Sequence, residues 1–350
     1  MTTGKARQVG RTTAIGSLPH HNVDAALDFS FQLAIPFLPQ IPLRNPWEFM
    51  TAQALDAMPG LQAEADGTVL LDPAVWDGRA RALNDRLVEA FATTAQPDAF
   101  AAFEPSAATS SSWQPFLWEL EERGVEIAKI QLAGPLTAQW AIRLSDGSGI
   151  DQHPEMSTQI FRLVLARAMA MCRRVRQTGA QPILYLDEPA LFGLNRANPR
   201  HLLAIQELRI LIQTLAKEGV QVGLHCCSDT HWPTLLGLGL RFLSIDAGLS
   251  AARLLEQQAP LDLFLAGGGR FSFGVIPTTE AHTATRPQEL LEKLIQTLSA
   301  RFSEPAQLRE ILRTALYTPA CGLALHSVAD AHNVLAALIE FEERLEKWLG

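Results

Sequence analysis

Short apolar runs closed by glycine, proline or a polar residue alternate along this chain with longer stretches whose apolar positions recur at helical spacing. The runs cover 12–18, 34–42, 128–134, 182–189, 222–225, 241–246, 270–276 and 315–320; the helical stretches cover 23–33, 47–58, 113–123, 157–178, 287–298 and 328–348. Alternation of this kind predicts β/α units around a parallel sheet, and eight runs is the number a closed (β/α)8 TIM barrel needs. Residues 61–75 read as a hairpin turning at Asp66-Gly67, an excursion from the barrel, and 98–104 as a second excursion. Pro36, Pro39 and Pro42 cannot donate to a ladder, so the second run is expected to pair only at its start. No repeat or linker divides the chain, and residues 1–350 are expected to form a single barrel domain with insertions.

Composition narrows the partners rather than the fold. With 29 Lys and Arg against 37 Asp and Glu the net charge is −8, and the two signs are interspersed, which excludes the basic stripe that nucleic acid requires. No apolar run reaches the roughly 18 to 20 residues that span a bilayer, and the N-terminus lacks the apolar segment of a secretory signal. The four cysteines, Cys172, Cys226, Cys227 and Cys321, do not make a disulfide framework. A reduced, cytoplasmic setting and a small-molecule or protein partner are therefore expected.

The chemistry gathers at the ends of the runs. His225 closes one run and Cys227 follows two residues later; Cys321-Gly322 closes another, and Asp246 a third. Imidazole and thiolate together suit zinc better than the oxygen-seeking calcium or magnesium. Active sites of barrels are built at the C-terminal ends of the strands, so Gly16, Ser17, Asp187, His225, Cys227, Asp246 and Cys321 are expected to face one opening. Cys226 is expected to point the other way, and Cys172 to be a core thiol on its helix. Trp140 reads as a core aromatic. His20 and His21 read as solvated loop residues, Glu188 suits either a site role or capping of the next helix, and His326 suits a helix start.

With these motifs in view the chain resembles the superfamily of cobalamin-independent methionine synthase, the zinc-dependent corrinoid methyltransferases and uroporphyrinogen decarboxylase. The segments T-T-A-I-G-S-L-P from Thr12, A-G-P-L-T from Ala133 and L-D-E-P-A-L from Leu186 resemble motifs of the methionine synthase catalytic half, and L-H-C-C-S-D-T from Leu224 resembles the H-x-C-G-x-T form of the corrinoid enzymes. The resemblance implies a zinc site of His225, Cys227 and Cys321 with Asp246 as a weak fourth ligand. It implies a substrate-binding segment at Ile15, Gly16 and Ser17, and an acceptor-binding Asp187 with Glu188 beside it. It further implies methyl transfer to a zinc-activated, homocysteine-like thiol from methyltetrahydrofolate or a methylcorrinoid protein. Three departures stand out: Pro277, Thr278 and Thr279 replace the family's proton-handling histidine motif, Gly193 replaces a folate-contacting glutamate, and Arg44 falls where a substrate-binding glutamate is expected. A decarboxylase, supported only by Arg11 and Arg44, and a non-catalytic zinc barrel are the competing readings.

Overall fold

The computed structural model of the chain describes residues 11–279 and 286–350. A hairpin of β1 (Leu61–Ala63) and β2 (Val69–Leu71) is joined in parallel by β4 (Ile142–Leu144) into a small three-stranded sheet. The main sheet has six parallel strands: β3 (Ile127–Ala133), β5 (Gln181–Asp187), β6 (Gln221–Cys226), β7 (Phe242–Asp246), β8 (Arg270–Ile276) and β9 (Leu316–Pro319), in that spatial order. These are the six later runs of the sequence pattern, each followed by helix as the alternation predicts.

The first two runs depart from expectation. Neither is a regular strand; they meet the sheet through isolated parallel bridges, Thr12 to Tyr317 at one edge and Phe37 to Lys129 at the other, and each other through Ser17 and Gln40. The prolines explain the second: Pro36 and Pro39 have no N–H, so Leu38 and Gln40 carry the available bonds, to Lys129 O at 2.9 Å and Gly16 O at 3.0 Å. Gly16 explains the first. Its φ of 144° suits glycine, and a Cβ there would lie 2.4 Å from Gln131 Nε2, so the chain bends over β3 where a side chain could not.

Period-two alternation sorts the strands into two faces. Leu184 and Leu186 of β5 join the large core between sheet and helices, whereas Ile183 and Tyr185 join an inner cluster with Ile35, Phe242 and Leu316. Tyr185 fits because Gly223 beside it has no Cβ; one would sit 2.6 Å from the ring. Buried polar residues, Lys129, Gln131, Ser244, Ser272 and Thr318, share this inner face, Lys129 and Gln131 level with Ile183 and Tyr185.

The helices largely follow the sequence pattern: Val23–Ser30, capped by Asn22 Oδ1 on Ala25 N at 3.1 Å; Trp113–Glu122; Pro154–Gln177; Pro287–Ser299; and Val328–Leu349. The stretch 47–58 is broken into a 3-10 turn, Pro46–Glu48, and a short helix, Met50–Leu55. The hairpin stops at Leu71 rather than at residue 75, because Asp72 caps, and Pro73 opens, a helix over Pro73–Ala92. Residues 98–104 hold no strand but a 3-10 turn, Ala101–Phe103. Among the described residues no helix is long and apolar enough to cross a membrane.

Candidate metal centre and cavity

Parallel register brings the donors together. Asp187 at the end of β5 is paired across the sheet with His225 on β6, and His225 in turn with Ser244 on β7. His225 Nδ1 lies 2.9 Å from Ser244 Oγ, which fixes the ring and leaves Nε2, buried and without a protein partner, to face inward. One ligand atom each from His225, Cys227 and Cys321 lie within 4.8 Å of one another. A buried imidazole nitrogen with no partner beside two sulfurs is what a thiophilic ion of zinc's kind would complete. The residues present therefore fit such an ion.

The two thiols polarise each other. Donation from the Cys227 S–H, and then the His225 side chain, hold Cys321 down to about 4, while that donation and burial push Cys227 up. Cys226 is buried and turned away, its Sγ 3.5 Å from Ser228 O, and Cys172 is a core thiol pushed up to about 12 by burial. Both match expectation.

The triad opens onto a cavity of about 490 Å³. Ile15, Ser17 and Gly322 line it beside the sulfurs, Gly322 packed so close that a Cβ there would turn the Ser17 hydroxyl aside, its Oγ lying at 2.1 Å. Asp187 enters it from β5 with Oδ1 unpartnered, its carboxyl pushed up to about 6 by burial against the opposing pull of Lys129 and then His225. Pro42, Phe49, Met50, Ala324 and Leu325 give the opposite wall an apolar character. His326 and Thr278 reach it as well.

Several expectations need correcting. Asp246 is not in the ligand group: its Oδ1 accepts from Gly248 N at 2.8 Å and Leu249 N at 3.0 Å, which ties the carboxylate into the turn after β7. Gly16 bends the chain behind the cavity and does not line it. Glu188 is fully buried, and its oxygens accept from Leu136 N, Thr137 N and Thr137 Oγ1 at 3.1, 2.7 and 2.7 Å, so it anchors the start of the Pro135–Ala141 helix rather than a ligand. His20 is not solvated; it is buried edge-on against Phe29 and His332. Trp140 is only partly buried, against His201. Arg11 bonds Arg313 O and pairs with Glu346, and Arg44 is exposed; neither lines the cavity, whose lining among the described residues includes no Arg or Lys.

Three features of the site escaped sequence reading. The hairpin is no mere excursion, since Asp66 at its turn lines the cavity. Glu48 lines it too, but its oxygens accept from Ile41 N and from Ser111 N, both at 2.9 Å, and from Ser111 Oγ at 2.6 Å. Ser111, in the serine-rich stretch before Trp113, thus supports the wall. The third feature is Lys129, a cation within the sheet's inner face. An isolated Lys and Gln at alternate positions of an otherwise apolar strand was the available signal.

Burial pushes the Glu188 carboxyl up to about 7, against the pull of the Thr137 and Leu136 donors. The folded chain then holds this proton more tightly than the unfolded chain does, so stability falls as pH rises from about 4.5 to about 7 and levels off above. Glu188→Gln is expected to flatten that slope, measured as denaturation midpoints at about pH 5 and about pH 7.5.

No protein-family model and no curated protein matches the chain. Among solved structures it is similar to a B12-independent methionine synthase from Shewanella sp. W3-18-1 in complex with selenomethionine, at 15% identity and a TM-score of 0.49 over 67% of each chain. It is also similar to a methyltransferase from Methanosarcina mazei, at 14% identity and a TM-score of 0.44 over 68% of this chain and 65% of that one. A putative vitamin-B12-independent methionine synthase from Listeria monocytogenes shows 14% identity and a TM-score of 0.41 over 66% of this chain and 69% of that one.

Proposed function

We propose that this chain is a zinc-dependent methyltransferase that alkylates a small thiol. The observation that carries the reading is the convergence of His225, Cys227 and Cys321, with ligand atoms within 4.8 Å of one another, on the floor of a cavity that admits a small molecule. Zinc bound there would deprotonate an incoming thiol, which free in solution has a pKa near 8.5, and hold it as a nucleophilic thiolate. The protein's own groups do the rest. Ser244 orients the imidazole, Ser17 and the Ile15 backbone form a ledge beside Cys321, and Asp187 offers a buried carboxylate to a cationic part of the acceptor. Phe49, Met50 and Pro42 limit water at the cavity wall. Three protein ligands leave a fourth position for the thiol, as catalytic zinc sites do; Asp246, whose Oδ1 is held in its own turn, stands outside the three. We read the fold as an eight-segment β/α barrel, the bridges from Thr12, Ser17 and Phe37 completing the ring. Methyltetrahydrofolate and a methylcorrinoid protein are both donors of the right chemistry. The test replaces the metal with cobalt and titrates with homocysteine and simpler thiols. A change in the cobalt spectrum is expected, and silence with every thiol would sink the S-alkylation reading.

A further inference from the structure

The cavity lining carries an unbalanced negative charge. Glu48, Asp66 and Asp187 all reach it, and among the described residues no Arg or Lys does. The three acids arrive from separate parts of the chain: a 3-10 turn, the tip of the β1–β2 hairpin and the end of β5. Two orphaned atoms mark the space between them as a binding site, for Asp187 Oδ1 and His225 Nε2 have no protein partner although each residue is only 5% exposed. The hairpin tip adds an aromatic face. Gly67, at φ 85°, lies so close to Phe49 that a Cβ there would stand 2.9 Å from the ring, so the Asp66-Gly67 turn packs on Phe49, and Asp66 and Phe49 line the cavity side by side. Asp66 Oδ1 accepts from Thr68 N at 2.9 Å, and that bond, first among the influences on it, holds the carboxyl below the usual carboxylate range. An aromatic ring beside a carboxylate, on a wall continued by Pro42, Met50 and Leu325, complements a cation whose charge is spread over methyl groups and which has no N–H to satisfy. An anionic donor would instead meet three carboxylates and no countercharge.

We propose that the methyl donor is a small onium cation, a methylsulfonium or a quaternary methylammonium, held at the cavity wall by Phe49 and Asp66. This rests on the reading of the cavity as a thiol site and adds a donor class to the two named there. In the step, a lone pair of the acceptor thiolate forms the new S–CH3 bond. The electron pair of the breaking bond stays with the donor's sulfur or nitrogen, which departs as a neutral thioether or tertiary amine. One negative and one positive charge disappear together, a change that apolar surroundings favour, and no proton is required. A neutral amine donor would leave as an anion in need of one.

Charge preference is measured first, by calorimetry and without turnover, as the binding of choline against its uncharged isostere 3,3-dimethyl-1-butanol to the zinc-loaded protein. Choline is expected to bind about tenfold more tightly. Asp66→Asn keeps an oxygen for Thr68 N and is expected to reduce that ratio about fivefold, and Phe49→Leu to reduce it by a similar factor. A role of these residues confined to the fold would weaken both ligands alike. No preference in the wild type, or an unchanged ratio in both variants, overturns the proposal. Turnover is measured second. Trimethylsulfonium with 2-mercaptoethanol is expected to give dimethyl sulfide and the methyl thioether in equal amounts, and methyltetrahydrofolate in its place to give no thioether. A protein whose cobalt spectrum responds to the thiol but which takes no methyl from trimethylsulfonium, or takes it from methyltetrahydrofolate alone, overturns the donor assignment and leaves the thiol reading intact. A cobalt-loaded protein blind to every thiol defeats the thiol reading itself, a separate outcome.

Discussion

Cys227→Ser and Cys321→Ser are each expected to reduce the metal content of the purified protein from about one zinc per chain to below about a tenth. The triad has three donors and, among the described residues, no fourth His, Cys, Asp or Glu in the same group, so losing one leaves two. A serine hydroxyl does not replace a thiolate as a zinc ligand, since it stays protonated where a thiol coordinated to zinc does not. Cys226→Ser is the matched control. Its sulfur is buried and directed at Ser228 O, and that variant is expected to keep its zinc. Elemental analysis of the three variants checks this. Stoichiometric zinc retained in both Cys227→Ser and Cys321→Ser would rule the triad out.

Glu188→Ala is expected to cost the fold about 3–5 kcal/mol, since each buried donor left without an acceptor costs about 1–3 kcal/mol and three are stranded together. The carboxylate is inaccessible to water and takes three hydrogen bonds, two of them from backbone N–H groups at the start of the Pro135–Ala141 helix. Truncation leaves all three donors in a dry void. Glu188→Gln keeps one acceptor oxygen and is expected to lose only about 1–2 kcal/mol. Denaturant unfolding of the two variants separates them. A loss in Glu188→Ala no larger than in Glu188→Gln would contradict the anchoring role and return Glu188 to the list of ligand contacts.

The contrast between Asp187 and Glu188 shows what the linear pattern can and cannot carry. Period-two alternation sends successive side chains of a strand to opposite faces, so of two neighbouring acids only one can face the sheet's inner space. The inner residues Ile183 and Tyr185 settle which: Asp187 continues their parity and Glu188 does not. The same parity was available for Lys129 and Gln131, yet a lysine in a short apolar run reads as an edge charge unless the run is known to be central. The candidate metal triad was legible because His225 lies near the end of its strand and Cys227 and Cys321 follow just past the ends of theirs.

The irregular parts were harder for a different reason. Residues 12–18 and 34–42 carry the hydrophobic content of strands, but Gly16 and the prolines at 36 and 39 remove the conformation or the donors that a ladder requires. Their pairing is settled by single bridges to distant strands, and no local signal reports those. Asp246, expected as a weak fourth ligand, stands outside the His225, Cys227 and Cys321 group, with its Oδ1 in local turn chemistry. A side-chain oxygen two residues before Gly248 closes an Asx turn on its own backbone, a preference that competes with any longer reach toward the triad.

X-ray absorption at the zinc edge tests the central claim most directly. The account predicts a first shell containing two sulfurs at about 2.3 Å and one imidazole nitrogen at about 2.0–2.1 Å, plus one lighter atom that gives way to a third sulfur when a thiol is added. A shell built of oxygen and nitrogen alone, or one indifferent to every added thiol, would contradict it.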